Sequence, residues 1–157
     1  MRSWIISAMV LGLIIPGYGM DESIRAFRPI DPVQLEKRVP QGFGKVFVEA
    51  GRQNNIDPLF LAAISAHESG AWRSKAARIK NNWMGLMTRN GTKRFSNPEA
   101  SIFYAAALLN RKPFKGRNSI GSVAAIYCAT SPSNWRAAIL EWRRELAPDE
   151  AHSLRKR

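Results

Sequence analysis

One glutamate ends the most apolar segment of this 157-residue chain. Residues 59–66 are almost all apolar, Asp57 and Pro58 are typical of a helix N-cap and first turn, and Gly70 is typical of a helix end. A helix that is apolar on nearly every face belongs in a core. Lost water and the negative end of the helix dipole would therefore keep Glu68 protonated. A carboxylic acid in that state can act as the general acid in glycoside cleavage.

The sequence offers no obvious second carboxylate for this chemistry. Two-carboxylate glycosidases place the pair about 5–5.5 Å or about 6.5–9.5 Å apart. No Asp or Glu occurs in the range 69–98. Asp57 would lie roughly 16 Å from Glu68 along the helix, and Glu99 is expected to cap a helix as part of a capping box.

A single acid leaves two chemistries open. In one, the N-acetyl oxygen of the substrate attacks the anomeric carbon while Glu68 protonates the leaving oxygen. In the other, Glu68 acts first as acid and then as base, and a hydroxyl of the sugar closes an anhydro ring. Both require N-acetyl sugars, and an acid from another loop stays a further option. The structural alternative pairs Glu68 with a nearby cation, namely Arg73, Lys75 or Arg78.

The surrounding pattern predicts a mainly α fold. Helical periodicity covers about 42–54, 58–68, 99–110 and 120–127, and a final helix runs to about 146. We expect N-caps at Ser96 and Ser133. The range 69–95 is polar and Gly-rich, so it predicts a short irregular or β lobe, with a hairpin near Asn90-Gly91. Residues 20–40 predict an extended lead-in, 41–146 the folded domain and 147–157 a polar tail.

Composition and the N-terminus restrict the partners. The net charge of +12 favours anionic polymers. A basic start, an apolar stretch over 4–16 and the small residues Gly17 and Gly19 predict a signal peptide over 1–19. Export to the periplasm or cell envelope argues against nucleic acid as a partner, and it leaves an uncleaved signal segment as the one expected membrane contact. Cys128 is the only cysteine, and the sequence predicts no metal site and no cofactor.

Several short motifs occur in the order of a known family. They are Glu68-Ser69-Gly70 after an Ala-rich helix, Ser74 with Ala77, Asn82-Trp83-Met84-Gly85-Leu86, and Tyr127-Cys128-Ala129-Thr130-Ser131-Pro132 with Trp135. From about residue 55 to 142 the chain resembles the endo-β-N-acetylglucosaminidase domain of glycoside hydrolase family 73. That family includes flagellar-rod peptidoglycan hydrolases and is similar in fold to lysozyme. Two departures are Ser131 in place of the usual Asp and Cys128 in place of the usual Tyr.

The resemblance implies a lysozyme-like helical domain that cleaves a β-1,4 bond in the glycan strands of peptidoglycan. It implies Glu68 as the acid and Tyr127 as a cleft residue that assists it. Candidate substrate-binding residues are Asn82, Gly85, Trp72, Trp83 and Phe95. Asn82 is otherwise a turn residue, and each aromatic ring is otherwise part of the core.

The sequence therefore predicts an exported peptidoglycan hydrolase, with N-acetylglucosaminidase as the first form and lytic transglycosylase as the second. The alternatives are a non-catalytic peptidoglycan-binding assembly factor and, if the N-terminus is not a signal, a nucleic-acid binder. Wall opening for an envelope-spanning machine would suit a small enzyme of this kind. Basic residues expected to hold the acidic polymer are Lys75, Arg78, Lys80, Arg89, Lys93 and Arg94.

Overall fold

The computed structural model describes residues 22–148 and is mainly helical over that range, as the sequence predicts. The elements are α1 (Pro32–Glu36), α2 (Phe43–Asn54), α3 (Pro58–Glu68), α4 (Lys75–Lys80), β1 (Met87–Thr88), β2 (Gly91–Thr92), α5 (Pro98–Leu108), α6 (Ile120–Tyr127) and α7 (Pro132–Leu146). The signal-peptide prediction and the range 149–157 of the predicted tail lie outside the described residues. No helix within 22–148 is both long and apolar enough to span a bilayer.

Helix α3 forms the centre of the core, and its predicted bounds are confirmed. Every residue from Pro58 to Ala66 is buried, and the helix packs against α2, α5 and α7. The Asp57 side chain caps its first turn by accepting a hydrogen bond from the Leu59 backbone N–H. Because a carboxylate at a helix N-terminus also faces the positive end of the dipole, Asp57 stabilises this end of α3.

A buried ion pair joins α3 to α7. Arg143 Nη2 lies 2.6 Å from Asp57 Oδ2, and both side chains are almost fully buried. Burial raises the pKa of Asp57, and Arg143 and Arg28 oppose that shift. The pair therefore holds the first turn of α3 against α7, at the end of α3 opposite to Glu68.

The segment before α2 is part of the fold, so the prediction of an extended lead-in is wrong for most of it. Ile24 and Leu35 are fully buried. The Ile24 carbonyl accepts a hydrogen bond from the Asp57 N–H, and the Ile24 N–H donates to Asn118. Pro32 does not break structure here, because it occupies the first turn of α1 after the N-cap Asp31.

Two predicted helix starts are displaced by one or two residues, and in both cases a proline explains it. The N-cap of α5 is Asn97, which accepts from the Ala100 N–H, and the predicted capping box at Ser96 does not form. Helix α7 begins at Pro132, so its N-cap is Ser131 rather than Ser133. Proline fits the first helical turn, which places the cap directly before it.

The lobe between α3 and α5 contains more structure than expected. Helix α4 was not predicted, and its N-cap is Ser74, whose hydroxyl accepts a hydrogen bond from the Ala77 N–H. The hairpin is present, with Met87 paired to Thr92 and Thr88 to Gly91. Its two-residue loop is therefore 89–90, one residue before the predicted position.

Candidate active site

The carboxylate of Glu68 is half-buried at the last residue of α3 and is held from one side. Its Oε1 accepts a hydrogen bond of 2.7 Å from the indole Nε1–H of Trp135 on α7. Among residues 22–148, no cation lies within ion-pair distance of Glu68. The structural alternative of a pair with Arg73, Lys75 or Arg78 is thus not what the structure forms.

The second oxygen of Glu68 faces a turn built around a glycine. A methyl carbon placed on Gly85 would lie 2.8 Å from Cδ of Glu68 and 3.0 Å from its Cβ, and closer still to Oε2. Gly85 also has φ +64, a left-handed conformation that favours glycine. Gly85, a candidate substrate-binding residue in the sequence, thus lies directly against the Glu68 carboxylate.

Tyr127 links this turn to the helical body. Its hydroxyl donates a 2.5 Å hydrogen bond to the Met84 carbonyl, directly before Gly85. Its ring stacks on Trp135, with centroids 5.1 Å apart and planes at 25°. Three segments distant in sequence, namely the end of α3, the turn at Gly85 and the α6–α7 region, thus meet around one acid.

Burial changes the acid–base behaviour of this group. Loss of water raises the pKa of Glu68, and the Trp135 hydrogen bond and nearby His67 oppose the shift. Burial raises the pKa of Tyr127 well above its usual value, and the charge of Glu68 acts in the same direction. Glu68 therefore keeps its proton to a higher pH than an exposed glutamate, and Tyr127 stays a neutral hydrogen-bond donor.

Asn82 supports the lobe from within. It is 1% exposed, its Nδ2 donates to the carbonyls of Leu86 and Lys93, and its Oδ1 accepts from the Leu86 N–H. These contacts leave the amide no exposed group for a sugar. They favour the turn-residue interpretation of Asn82 and explain how the 82–86 turn, with Gly85 in it, keeps its shape.

The predicted aromatic binding residues differ in their surroundings. Trp83 is 8% exposed and packs on Phe43 with centroids 4.2 Å apart, which favours its core interpretation. Trp72 is half-buried, and its indole donates to the Ser65 hydroxyl, one turn before Glu68. Phe95 is half-buried, and its ring meets that of Tyr104 with centroids 5.6 Å apart. Of the three rings, Trp72 is anchored nearest to Glu68 along α3.

Trp135 is the site residue that the sequence analysis did not single out for a role. It is 3% exposed, and periodicity alone describes it as a core tryptophan at the start of α7. The feature of the sequence that could have indicated a role for Trp135 is its position as the aromatic residue after the Thr-Ser-Pro motif. That position does not predict a hydrogen bond from the indole N–H to a carboxylate 67 positions earlier.

Most other carboxylates of the described residues form ion pairs or hydrogen bonds with other groups. Those with a described partner are Glu22 with Arg136, Asp31 and Glu36 with backbone N–H groups, Glu49 with Arg52, Asp57 with Arg143, and Glu141 with Arg144. Over residues 22–148, no group of three or more His, Cys, Asp or Glu side chains is arranged to hold a metal ion. Glu68 is thus the carboxyl group that the described contacts place beside Trp135, Gly85 and Tyr127.

A single half-buried acid at the end of a core helix, facing a small lobe, is an arrangement that can supply the general acid of a glycosidase. A family model described as mannosyl-glycoprotein endo-beta-N-acetylglucosaminidase matches residues 44–146, and the chain belongs to this glucosaminidase family. No curated protein matches the chain by sequence.

Solved structures share the fold. S. aureus autolysin E is similar with a TM-score of 0.65 and 17% identity, over 88% of this chain and 73% of that one. Autolysin E in complex with the muropeptide NAM-L-Ala-D-iGlu is similar with a TM-score of 0.61 and 16% identity, over 86% and 72%. At these identities the likeness establishes the helical fold, and the family model supplies the enzyme class.

Proposed function

We propose that this chain cleaves a β-1,4 glycosidic bond in the glycan strand of peptidoglycan, with Glu68 as the general acid. The observation that carries the proposal is the environment of Glu68: one oxygen held by Trp135, the other facing Gly85, and a raised pKa. Membership of the glucosaminidase family supports the bond type. The muropeptide bound to the similar autolysin E supports the polymer.

In the proposed reaction the proton of Glu68 moves to the leaving glycosidic oxygen as the C1–O bond breaks. The electron pair of that bond stays on the leaving oxygen. The carbonyl oxygen of the substrate's own N-acetyl group bonds to C1 and forms an oxazolinium ion. The Glu68 carboxylate then removes a proton from water, which attacks C1 and opens the ring, so the acid regains its proton.

Most other carboxylates of the described residues are bound to partners of their own, which favours a nucleophile supplied by the substrate. A single acid is also compatible with a second candidate function, that of a lytic transglycosylase. There, a C6 hydroxyl of the sugar loses its proton to Glu68 and bonds to C1, and an anhydro ring forms in place of the hydrolysed end. Glu99 has no described partner, so it remains the acid to test as a possible second group.

Location and partners complete the proposal. We propose export to the periplasm or cell envelope, supported by the basic start and apolar stretch of residues 1–19. The net positive charge supports binding to the carboxylate-bearing wall polymer, and such binding would weaken with salt. Local wall opening for an envelope-spanning machine is the cellular role that we propose for it.

The test is mass spectrometry of fragments released from purified peptidoglycan by the wild type and by Glu68→Gln. Glu49→Gln, on an exposed face of α2, is the matched control and should release the wild-type fragments. Reducing GlcNAc ends would establish the glucosaminidase, whereas anhydro-muramyl ends would establish the transglycosylase.

Three other outcomes would overturn parts of the proposal. Full activity in Glu68→Gln would show that Glu68 is not the general acid. Loss of activity in Glu99→Gln would favour a two-carboxylate mechanism over the single-acid mechanism. Binding without cleavage by the wild type would favour the non-catalytic assembly factor.

A further inference from the structure

We infer that Trp135 is a positioning residue that decides which oxygen of Glu68 carries the catalytic proton. The indole N–H occupies Oε1, so the proton resides on Oε2, the oxygen that faces Gly85. The inference rests on the proposed role of Glu68 as the acid.

The donor chemistry of tryptophan sets this assignment. An indole N–H can donate a hydrogen bond but cannot accept one. In a neutral carboxylic acid, the carbonyl oxygen is the better acceptor and the other oxygen carries the proton. Since Trp135 Nε1 lies 2.7 Å from Oε1, Oε1 is the carbonyl oxygen and Oε2 is the hydroxyl. No protein group within 22–148 hydrogen-bonds to Oε2, which leaves its proton available for a leaving oxygen.

The indole itself is held on several sides. Its ring stacks on Tyr127, whose hydroxyl is fixed to the Met84 carbonyl. The His67 ring meets it edge-on, with centroids 6.5 Å apart and planes at 85°. Trp135 is 3% exposed and lies in the first turn of α7, so the N–H cannot swing away from Oε1 without disturbing packed neighbours.

The neighbours of Glu68 determine how a pH measurement is interpreted. His67 on α3 and Tyr127 on α6 are the titratable side chains close to it. The turn at 82–86 carries no titratable group. On α7, Arg136 pairs with Glu22, and Arg143 pairs with Asp57 at the opposite end of α3 from Glu68. A change in titration on altering Trp135 is thus assigned to the lost hydrogen bond.

Trp135→Phe removes the N–H and keeps an aromatic ring against Tyr127. A donor to a carboxylate favours its charged form, so its loss raises the Glu68 pKa further. We expect the alkaline limb of the kcat/KM profile to move to higher pH. We also expect kcat to fall roughly tenfold or more with KM little changed, a part of the about 10²–10⁴-fold that a positioned acid supplies. Trp142→Phe, the same change on the same helix, should leave both at wild-type values.

A measurement on the unaltered chain keeps the inference testable if Trp135→Phe does not fold. The indole N–H resonance of Trp135, followed by NMR across pH, should titrate with the pKa of the alkaline limb. That titration should be absent in Glu68→Gln. A resonance that stays constant through the alkaline limb, or a Trp135→Phe profile that superimposes on the wild type, would overturn the inference. Full activity in Glu68→Gln would instead overturn the proposed function.

Discussion

Gly85→Ala offers the sharpest test of the site geometry. The added methyl carbon would lie 2.8 Å from Glu68 Cδ, closer than real Cβ atoms approach other atoms. Either the Glu68 side chain or the 82–86 turn must move. Because the turn is fixed by Asn82 and Tyr127, we expect the carboxylate to be displaced from its position beside Trp135.

The size of the effect follows from two separate costs. Alanine at φ +64 costs about 1–2 kcal/mol, because a left-handed backbone crowds its Cβ. Overpacking against Glu68 adds about 1–3 kcal/mol to the loss of folding stability. A displacement of about 1 Å in a reacting group can lower activity about 10²-fold. We therefore expect a folded but weakened protein whose kcat/KM falls about 10²-fold.

The assay combines urea unfolding with the rate of clearing of a purified peptidoglycan suspension. Gly116→Ala is the matched control, since Gly116 has φ +83 and no atom within 4 Å of its added carbon. Gly116→Ala therefore has the same cost of placing alanine at a positive φ, but its added methyl group contacts no other atom. We expect it to lose stability by the smaller amount and to keep the wild-type rate.

One result would refute the reasoning. If Gly85→Ala clears peptidoglycan at the wild-type rate per folded molecule, the position of the Glu68 carboxylate beside this turn does not matter for catalysis. A loss of rate in Gly116→Ala equal to that in Gly85→Ala would show that general loosening, rather than displacement of the acid, limits activity.

Four further outcomes follow from the same contacts. Because burial raises the pKa of Glu68, kcat/KM should fall with a one-proton slope above pH 4.5, and a midpoint at or below 4.5 would contradict the burial argument. Tyr127→Phe should cost about 1–3 kcal/mol in urea unfolding, because the Met84 carbonyl loses its donor, and should lower the clearing rate; unchanged stability would contradict this. Asn82→Ala should loosen the 82–86 turn, measured as faster amide exchange there than elsewhere; uniform exchange would count against its supporting role. Asp57→Ala should destabilise by about 3–5 kcal/mol, because a buried arginine loses its partner, against under about 1 kcal/mol for the exposed Glu49→Ala; equal losses would contradict the difference.

The helical elements could be predicted because their signals are local. The apolar run of α3, its Asp57-Pro58 start and the periodicity of α2, α5 and α6 depend on neighbouring residues only. Three errors share a local cause, a proline in the first helical turn. Pro32 lies in the predicted extended lead-in but begins α1. A rule that places the cap directly before each proline would have corrected α5 and α7 as well.

The site was predictable only in part, because its contacts join distant segments. Glu68 could be chosen from its helix, and Tyr127 and Gly85 from the family motifs. No local pattern reports that Trp135 donates to Glu68, or that the amide of Asn82 turns inward to the lobe backbone. Whether a tryptophan fills space or orients an acid depends on which tertiary partner its N–H meets.

Helix α7 contacts both ends of α3: Arg143 pairs with Asp57 at one end, and Trp135 donates to Glu68 at the other. A nascent chain that has been synthesised only as far as α6 lacks both attachments. Its Glu68 would lack the indole donor, and its Asp57 would lack one of the two guanidinium groups that compensate its burial. Formation of the contacts around Glu68 therefore requires α7 to dock on α3.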